Sequence, residues 1–149
     1  MRVAVLHGPN LRLLGRREPE IYGTTTLAEV DEAIRAEAGE LGVAVEIFQS
    51  NHEGEILDFL ENVRGLVQGV LINPAGLTHT SVSLRDGLTG IGLPVVEVHL
   101  SNPAARETFR QDSLIAGIAV GTVAGFGENS YYLGLRGLKA RILDQMTGS

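Results

Sequence analysis

The sequence predicts an α/β fold in which helices cover both faces of one parallel β-sheet. Short apolar, β-branched runs alternate with helical patterns along the 149 residues. The runs are mostly apolar rather than alternating, which is typical of strands buried on both faces. Because parallel neighbours need a crossover, usually a right-handed helix, the alternation places helices on both sides of the sheet. At this length the chain is expected to form one catalytic or binding domain, residues 1–149.

Five strands are predicted from the apolar runs. They span residues 2–7, 43–49, 69–73, 94–100 and 118–124. Five parallel strands with helices on both faces favour a flavodoxin-like, three-layer fold with the strand order 2-1-3-4-5.

The first long helix has the clearest boundaries. Thr26 and Glu29 form a capping-box pattern at its start, and Gly42 stands where a C-terminal cap is expected. Apolar periodicity predicts the later helices at about residues 55–63, 81–88, 104–109 and 131–146.

An 18-residue segment, residues 8–25, separates the first strand from the first long helix. Loops of this length are uncommon in compact domains and often form lids over functional sites. A disordered surface loop is the alternative, although Leu11, Leu13 and Leu14 indicate that part of the segment packs. We expect a lid over about residues 15–25.

Composition excludes several classes of function. A net charge of −6 argues against nucleic-acid or anionic-membrane partners. The sequence shows neither a transmembrane run nor a cleavable signal pattern, so a cytoplasmic location is expected. Cysteine is absent, which rules out disulfides, thiolate nucleophiles and iron–sulfur clusters. The single lysine, Lys139, follows a helical pattern, so Schiff-base chemistry is poorly supported.

Polar residues gather after the first four predicted strands. Ligands of open parallel sheets bind beyond the carboxyl ends of the strands, where the strand order reverses. This gathering predicts an active site, although each residue alone is more often a capping or turn residue. It includes all four histidines: His7, His52, His79 and His99.

Known cofactor and metal motifs do not fit. There is no phosphate-loop pattern, the glycines of residues 125–130 lack the third position of a dinucleotide fingerprint, and no metal-ligand spacing is recognisable. Proton chemistry by Tyr, His, Asn and Arg remains. Tyr22 is a poor base at its ordinary pKa of about 10, but a guanidinium such as that of Arg17 would lower the pKa. The spacing alone favours the alternative that Tyr22 only anchors the loop by packing.

Four segments of the chain carry recognisable motifs. They are Gly8-Pro9-Asn10-Leu11 with Arg17-Glu18-Pro19 and Tyr22-Gly23, residues 49–54, residues 73–82 with Arg85-Asp86, and residues 96–102 with Arg106-Glu107 and Phe109-Arg110. In order and along nearly the whole chain, these segments resemble the type II 3-dehydroquinate dehydratases. The resemblance implies a flavodoxin-like lyase that converts 3-dehydroquinate to 3-dehydroshikimate without metal, cofactor or Schiff base, in the shikimate pathway of aromatic amino acid biosynthesis or in quinate breakdown.

The resemblance implies a catalytic role for five residues. Tyr22 would be the base that removes the proton next to the ketone, and Arg17 would lower its pKa and hold the lid. Asn10 would stabilise the enolate, His99 would be the general acid for the departing hydroxyl, and Glu97 would orient the His99 ring.

The resemblance also implies substrate-binding residues and an assembly. The backbone N–H groups of Leu100 and Ser101, the Ser101 hydroxyl and Asn73 would bind the carboxylate of the substrate. The binding residues as a whole would be Asn73, His79, Asp86, Leu100, Ser101 and Arg110, with Asp86 reaching the site of a neighbouring subunit. Family members look like homododecamers, tetramers of trimers. The sequence departs from the family pattern near Gln111, Gly117 and Asn129, positions that bear on subunit contacts and C-terminal packing.

Two further functions are compatible with the same residues. A non-catalytic binding or sensor module would show affinity without turnover, and Tyr22, Arg17 and His99 are not needed together merely to bind. An elimination enzyme for a related cyclic hydroxy acid would use the same groups. Kinetics on several substrates separates these alternatives.

Overall fold

The protein folds around a five-stranded parallel sheet with the order β2-β1-β3-β4-β5. This computed structural model describes residues 1–16 and 18–148. Every neighbouring pair of strands is parallel, so the predicted fold class and strand order are confirmed. The strands are β1 (Arg2–His7), β2 (Ala44–Gln49), β3 (Gly69–Asn73), β4 (Val95–His99) and β5 (Gly121–Ala124).

The helices form a layer on each face of the sheet. They are α1 (Pro19–Tyr22), α2 (Leu27–Leu41), α3 (Glu53–Val63), α4 (Val82–Gly90) and α5 (Asn129–Thr147). Because the side chains of β1 point alternately to the two faces, Val3 and Val5 pack in one core cluster with α2 and α5, whereas Ala4 and Leu6 pack in the other with α3 and α4.

The capping box predicted at the start of α2 is present. The Glu29 N–H donates to Thr26 Oγ1 over 3.2 Å, and the Thr26 N–H donates to Glu29 Oε1 over 3.4 Å. Gly42 ends the helix at φ 68°, in the left-handed region that glycine adopts without strain. Lys139 donates to the carbonyl oxygen of Leu41 over 2.6 Å, so the one lysine binds the end of this helix.

One predicted element is wrong, and one begins later than predicted. The helix expected at about residues 104–109 is a pair of 3₁₀ turns, Pro103–Ala105 and Thr108–Arg110. Neither turn buries a side chain, and a short segment without a buried face gains too little from packing to form an α-helix. The last strand begins at Gly121 rather than at residue 118, because Ala116–Ile118 forms another 3₁₀ turn.

Candidate active site

A cavity of about 230 Å³ lies beyond the carboxyl ends of β1, β3 and β4. This volume lies below the roughly 300–1,000 Å³ of pockets for drug-sized ligands, so the cavity suits a small metabolite. Three chain segments line it: residues 9–14, residues 73–79 and residues 99–110. The lining residues are Pro9, Asn10, Leu11, Leu13, Leu14, Asn73, Ala75, Gly76, His79, His99, Leu100, Ser101, Pro103, Arg106 and Arg110.

The cavity brings together most of the side chains that the sequence nominated. Glu97 lies behind His99, in contact with its ring. Asp86 is exposed on α4 and does not line the cavity. Arg17 and the side chain of Tyr22 lie outside the described part of the chain. The rest of the expected lid is described and contains α1, and none of its described residues lines the cavity. The nominated residues that line the cavity are Asn10, Asn73, His79, His99, Leu100, Ser101 and Arg110.

Only two of the four histidines reach the cavity. His7 is fully buried between α2 and α5, because it shares the face of Val3 and Val5. His52 precedes α3 and points to solvent, with its side chain 76% exposed. The expectation that all four gather at one site is therefore wrong for His7 and His52.

Glu97 and His99 form a partly buried pair at the end of β4. Glu97 is 1% exposed, and its Oε2 lies 2.5 Å from Nε2 of His99. Burial raises the pKa of Glu97, but hydrogen bonds from His99, Thr78 and Ser113 and the charge of His99 outweigh burial, so the pKa is lowered. An ionised Glu97 can only accept, so Nε2 of His99 carries a proton and Nδ1 is the nitrogen left for other partners.

Two hydroxyl groups hold the Glu97 carboxylate from behind. Thr78 donates to Oε2, and Ser113 Oγ lies 2.9 Å from Oε1 and 3.0 Å from Oε2. Ser113 Oγ also accepts the backbone N–H groups of Ile115 and Ala116 at 3.0 and 2.9 Å. The turn that carries Ser113 is thereby fixed against the carboxylate that contacts His99.

The end of β1 lies close against the end of β3. A Cβ atom at Gly8 would lie 2.3 Å from the carbonyl oxygen of Pro74, so only glycine fits there. The Gly8 N–H donates to the carbonyl oxygen of Asn73 over 2.8 Å. Asn10 follows at φ 71°, a left-handed conformation that asparagine tolerates, and its N–H donates to Asn51 Oδ1. This path brings Asn10 and Asn73 to the same cavity.

Asn73 is 3% exposed, and its carboxamide is oriented by two partners. Nδ2 donates to the hydroxyl of Tyr131 over 3.1 Å, and Oδ1 accepts the N–H of Ala75 over 3.1 Å. Asn73 also lines the cavity, and its Nδ2 carries a second N–H beside the one that Tyr131 accepts. Asn73 is thus both a turn residue, as its position after a strand suggested, and part of the cavity wall.

The far wall of the cavity is cationic. Arg106 donates through Nη1 to Ser101 Oγ over 3.3 Å. Arg110 donates through Nε to Glu107 over 2.7 Å, and its guanidinium lies 5.0 Å from the centre of the Phe109 ring. Two guanidinium groups beside a hydroxyl are suited to an anionic substrate group.

His79 has a defined tautomer in this arrangement. Its Nδ1 lies 2.7 Å from the carbonyl oxygen of Asp112, which can only accept, so Nδ1 carries the proton. Nε2 of the neutral ring is then an acceptor for a substrate hydroxyl. Asp112 belongs to the run that departs from the family pattern, but it acts here through its backbone.

Comparison with known proteins identifies the family. Residues 1–139 match the family model described as dehydroquinase class II. The chain belongs to this family. It is 53% identical over 138 residues to a 3-dehydroquinate dehydratase of Gloeobacter violaceus, covering 93% of this chain and 86% of the relative. It is 56% identical over 136 residues to a 3-dehydroquinate dehydratase of Desulforudis audaxviator, covering 91% of each chain.

A solved structure gives the same result. The type II dehydroquinase from Butyrivibrio crossotus superimposes with a TM-score of 0.91 at 35% identity, covering 93% of this chain and 97% of that one. The enzyme class expected from the sequence, a type II 3-dehydroquinate dehydratase, is confirmed by this membership.

Metal-binding groups and membrane-spanning helices were also sought in the described residues of this dehydroquinase class II chain. Within residues 1–16 and 18–148, no group of three or more His, Asp or Glu side chains is placed to hold a metal ion. None of the helices in that part of the chain is long and apolar enough to cross a membrane.

Sequence reasoning missed three residues that bear on the site. Arg106 was recognised as a motif residue but given no role, and it lines the cavity. Ser113 lies in a run noted only as a departure, and Tyr131 was read only as part of the last helix. The sequence carries no local signal for Ser113 or Tyr131, because their partners are 16 and 58 residues away.

Proposed function

We propose that this dehydroquinase class II chain converts 3-dehydroquinate to 3-dehydroshikimate and water in the cavity at the edge of the sheet. The observation that carries the proposal is the Glu97–His99 pair at the wall of that cavity, with Nε2 and Oε2 2.5 Å apart. A buried carboxylate stabilises the protonated imidazole that a general acid needs. The membership of the chain in a dehydratase family supports the same reaction.

The first step removes a proton. The Tyr22 phenolate takes the proton next to the ketone, and Arg17 keeps the phenol acidic enough to act as the base. These two assignments rest on the family motif, since Arg17 and the Tyr22 side chain lie outside the described residues. Asn10 lines the cavity and stabilises the enolate oxygen as an oxyanion donor does.

The second step expels water. Protonated His99 gives its proton to the departing hydroxyl, the C–O bond breaks, and the enolate electrons form the new C=C bond. Glu97 keeps the ring oriented throughout and stabilises its charge before the proton leaves. Return of the proton from Tyr22 to His99 through solvent restores the enzyme for the next cycle.

Binding uses the remaining nominated residues. The backbone N–H groups of Leu100 and Ser101, the Ser101 hydroxyl and the free N–H of Asn73 hold the substrate carboxylate, close to the cationic wall. His79 accepts a ring hydroxyl through Nε2, and Arg110 donates to another.

The assembly and cellular context are part of the same proposal. The chain acts as a single catalytic domain with a lid over about residues 15–25. It forms a homododecamer of trimers in the cytoplasm, and the exposed Asp86 on α4 completes the cavity of a neighbouring subunit. The reaction serves either aromatic biosynthesis or quinate breakdown.

The direct test follows the absorbance of the conjugated enone when purified protein meets 3-dehydroquinate. Turnover is expected to survive EDTA and borohydride treatment, because neither a metal nor an imine takes part in the proposed steps. His99→Ala should lower kcat by about 10²–10⁴-fold, the range of a general acid. His52→Ala is the matched control, because this histidine is 76% exposed, and it should leave the rate unchanged. No enone from the folded wild-type protein, or equal effects of the two substitutions, would contradict the proposal.

A further inference from the structure

Four hydrogen-bonded side chains connect the partly exposed surface of α2 to the cavity. Asp31 on α2 lies 2.7 Å from Nε2 of His7, and Nδ1 of His7 lies 2.8 Å from the hydroxyl of Tyr131. The same hydroxyl accepts from Nδ2 of Asn73 over 3.1 Å. His7 and Tyr131 are fully buried, whereas the side chain of Asp31 is 21% exposed.

The donor and acceptor properties of the groups give this chain one direction. The N–H of Ala75 fixes Oδ1 of Asn73 as an acceptor, so Nδ2 faces Tyr131 as a donor. The Tyr131 oxygen accepts that hydrogen, and its own O–H then donates to Nδ1 of His7. Nε2 of His7 carries the ring proton and donates to the Asp31 carboxylate, which can only accept. Every group is satisfied with a neutral imidazole.

Reversing any member breaks the pattern. A His7 ring protonated at both nitrogens would donate to Tyr131, and the Tyr131 O–H would lose its acceptor. Burial also raises the pKa of Tyr131, more than the hydrogen bond from Asn73 lowers it, so the phenol stays protonated. Leaving a buried hydroxyl unsatisfied costs free energy, and this cost favours the direction of hydrogen bonding described above.

We propose that Asp31, His7 and Tyr131 are positioning residues, which hold the Asn73 carboxamide so that its second Nδ2–H stays directed to the substrate. The inference rests on the proposed function, in which Asn73 binds the carboxylate of the substrate. None of the three side chains lines the cavity, so they act through Asn73 rather than on the substrate.

The ring of Tyr131 has a separate, structural role. It packs edge-on against His7, with the ring centres 5.1 Å apart and an interplanar angle of 70°. A phenylalanine keeps that packing and removes only the hydroxyl. Tyr131→Phe is therefore the informative variant, and Tyr132→Phe, the same change at the next position of α5, is its matched control.

The first experiment is a double-mutant cycle with Asn73→Ala, measured with 3-dehydroquinate. Tyr131→Phe should raise KM about three- to tenfold, the loss expected for one hydrogen bond, and leave kcat within about twofold. In the Asn73→Ala background it should have no further effect on kcat/KM, because the carboxamide is already gone. Tyr132→Phe should match the wild type in both backgrounds.

The outcomes separate the inference from the function. An active wild type in which Tyr131→Phe lowers kcat/KM equally with and without Asn73 overturns the positioning role. A Tyr131→Phe variant that lowers kcat while KM stays constant also overturns it. A wild-type chain that fails to dehydrate 3-dehydroquinate overturns the proposed function, and the inference falls with it.

The second experiment detects the hydrogen bonds from Asp31 to Asn73 by a measurement other than activity, and it needs no substitution in the core. Nitrogen-15 NMR spectra of the full-length protein should show the His7 ring protonated at Nε2 and not at Nδ1. Asp31→Ala, on the partly exposed side of α2, should abolish this preference and raise KM, whereas Asp31→Asn keeps an oxygen acceptor and should restore both. A wild-type ring protonated at Nδ1, or an Asp31→Ala variant with unchanged KM and unchanged spectra, overturns the inference.

Discussion

Replacing Ser113 with alanine tests how the carboxylate behind His99 is held. The change removes one hydroxyl that contacts both oxygens of Glu97 and accepts two backbone N–H groups. Ile115 is fully buried, so its N–H cannot find water as a substitute. The side chain of Ser113 itself shrinks by a single oxygen, so the loss is almost entirely one of hydrogen bonds.

The magnitude follows from those contacts. A hydrogen bond to a charged group contributes about 1.5–3 kcal/mol, and a buried N–H left unsatisfied costs about 1–3 kcal/mol. Because the contacts share one atom and are not additive, we expect the free energy of unfolding to fall by about 3 kcal/mol at neutral pH. For a chain of this size that corresponds to a Tm lower by roughly 6–12 °C.

The effect of Ser113→Ala on stability should depend on pH in a defined direction. The pKa of Glu97 is lowered in the folded protein, so its ionisation stabilises the fold above the ordinary value of 4.5 and this stability is lost as the pH falls through the folded pKa. Without Ser113 the pKa of Glu97 in the folded protein rises toward 4.5. The contribution of Glu97 ionisation to the free energy of unfolding is then smaller. The difference between variant and wild type should therefore shrink as the pH falls below 4.5.

Urea unfolding at several pH values measures this directly. Ser83→Ala is the control, because Ser83 is an exposed serine on α4 and its loss should change stability by less than about 0.5 kcal/mol. Equal effects of the two substitutions, or a difference for Ser113→Ala that stays constant from neutral to acid pH, would refute the reasoning. The acid limb of kcat/KM should also move to higher pH in the Ser113 variant.

Further expectations concern the fold and the cationic wall. Gly134→Ala should lower the free energy of unfolding by about 1–3 kcal/mol, because its Cβ would lie 2.7 Å from Cγ1 of Val98. Gly137→Ala on the same helix has open space and should raise it by up to about 1 kcal/mol; thermal unfolding compares the two variants. Thr26→Ala should lower stability by about 1 kcal/mol in the same assay, since the capping box is lost. Arg106→Ala should raise KM for the anionic substrate more at low than at high salt, and a salt-independent KM would contradict an electrostatic role.

The sheet, its order and the long helices could be predicted because their signals are local. The capping box at Thr26 and the apolar runs of the strands each depend on residues close in sequence. The 3₁₀ turns at residues 103–110 were missed, because the sequence pattern predicted a helix there although neither turn buries a side chain. The position of Ser113 could not be predicted, because its acceptor Glu97 and its neighbour Thr78 belong to other elements.

The site was predicted in location more than in detail. Polar residues after the strands pointed to the edge of the sheet at which the cavity lies. His7 is fully buried between α2 and α5, whereas His99 lies at the cavity wall. The pattern of residues alone did not distinguish these two histidines, because the partners that enclose His7, Asp31 and Tyr131, are 24 and 124 residues away in the sequence.

The burial of Glu97 also bears on how the chain folds. Two of its partners, Thr78 and Ser113, come from stretches of the chain outside β4. Burying the Glu97 carboxylate before these donors are in place would cost several kcal/mol. We therefore expect β4 to become stable only when the segment that carries Ser113 has docked. Recovery of turnover after dilution from denaturant should then report the completion of folding, and a partly folded intermediate that retains the sheet but not the Ser113 turn should be inactive.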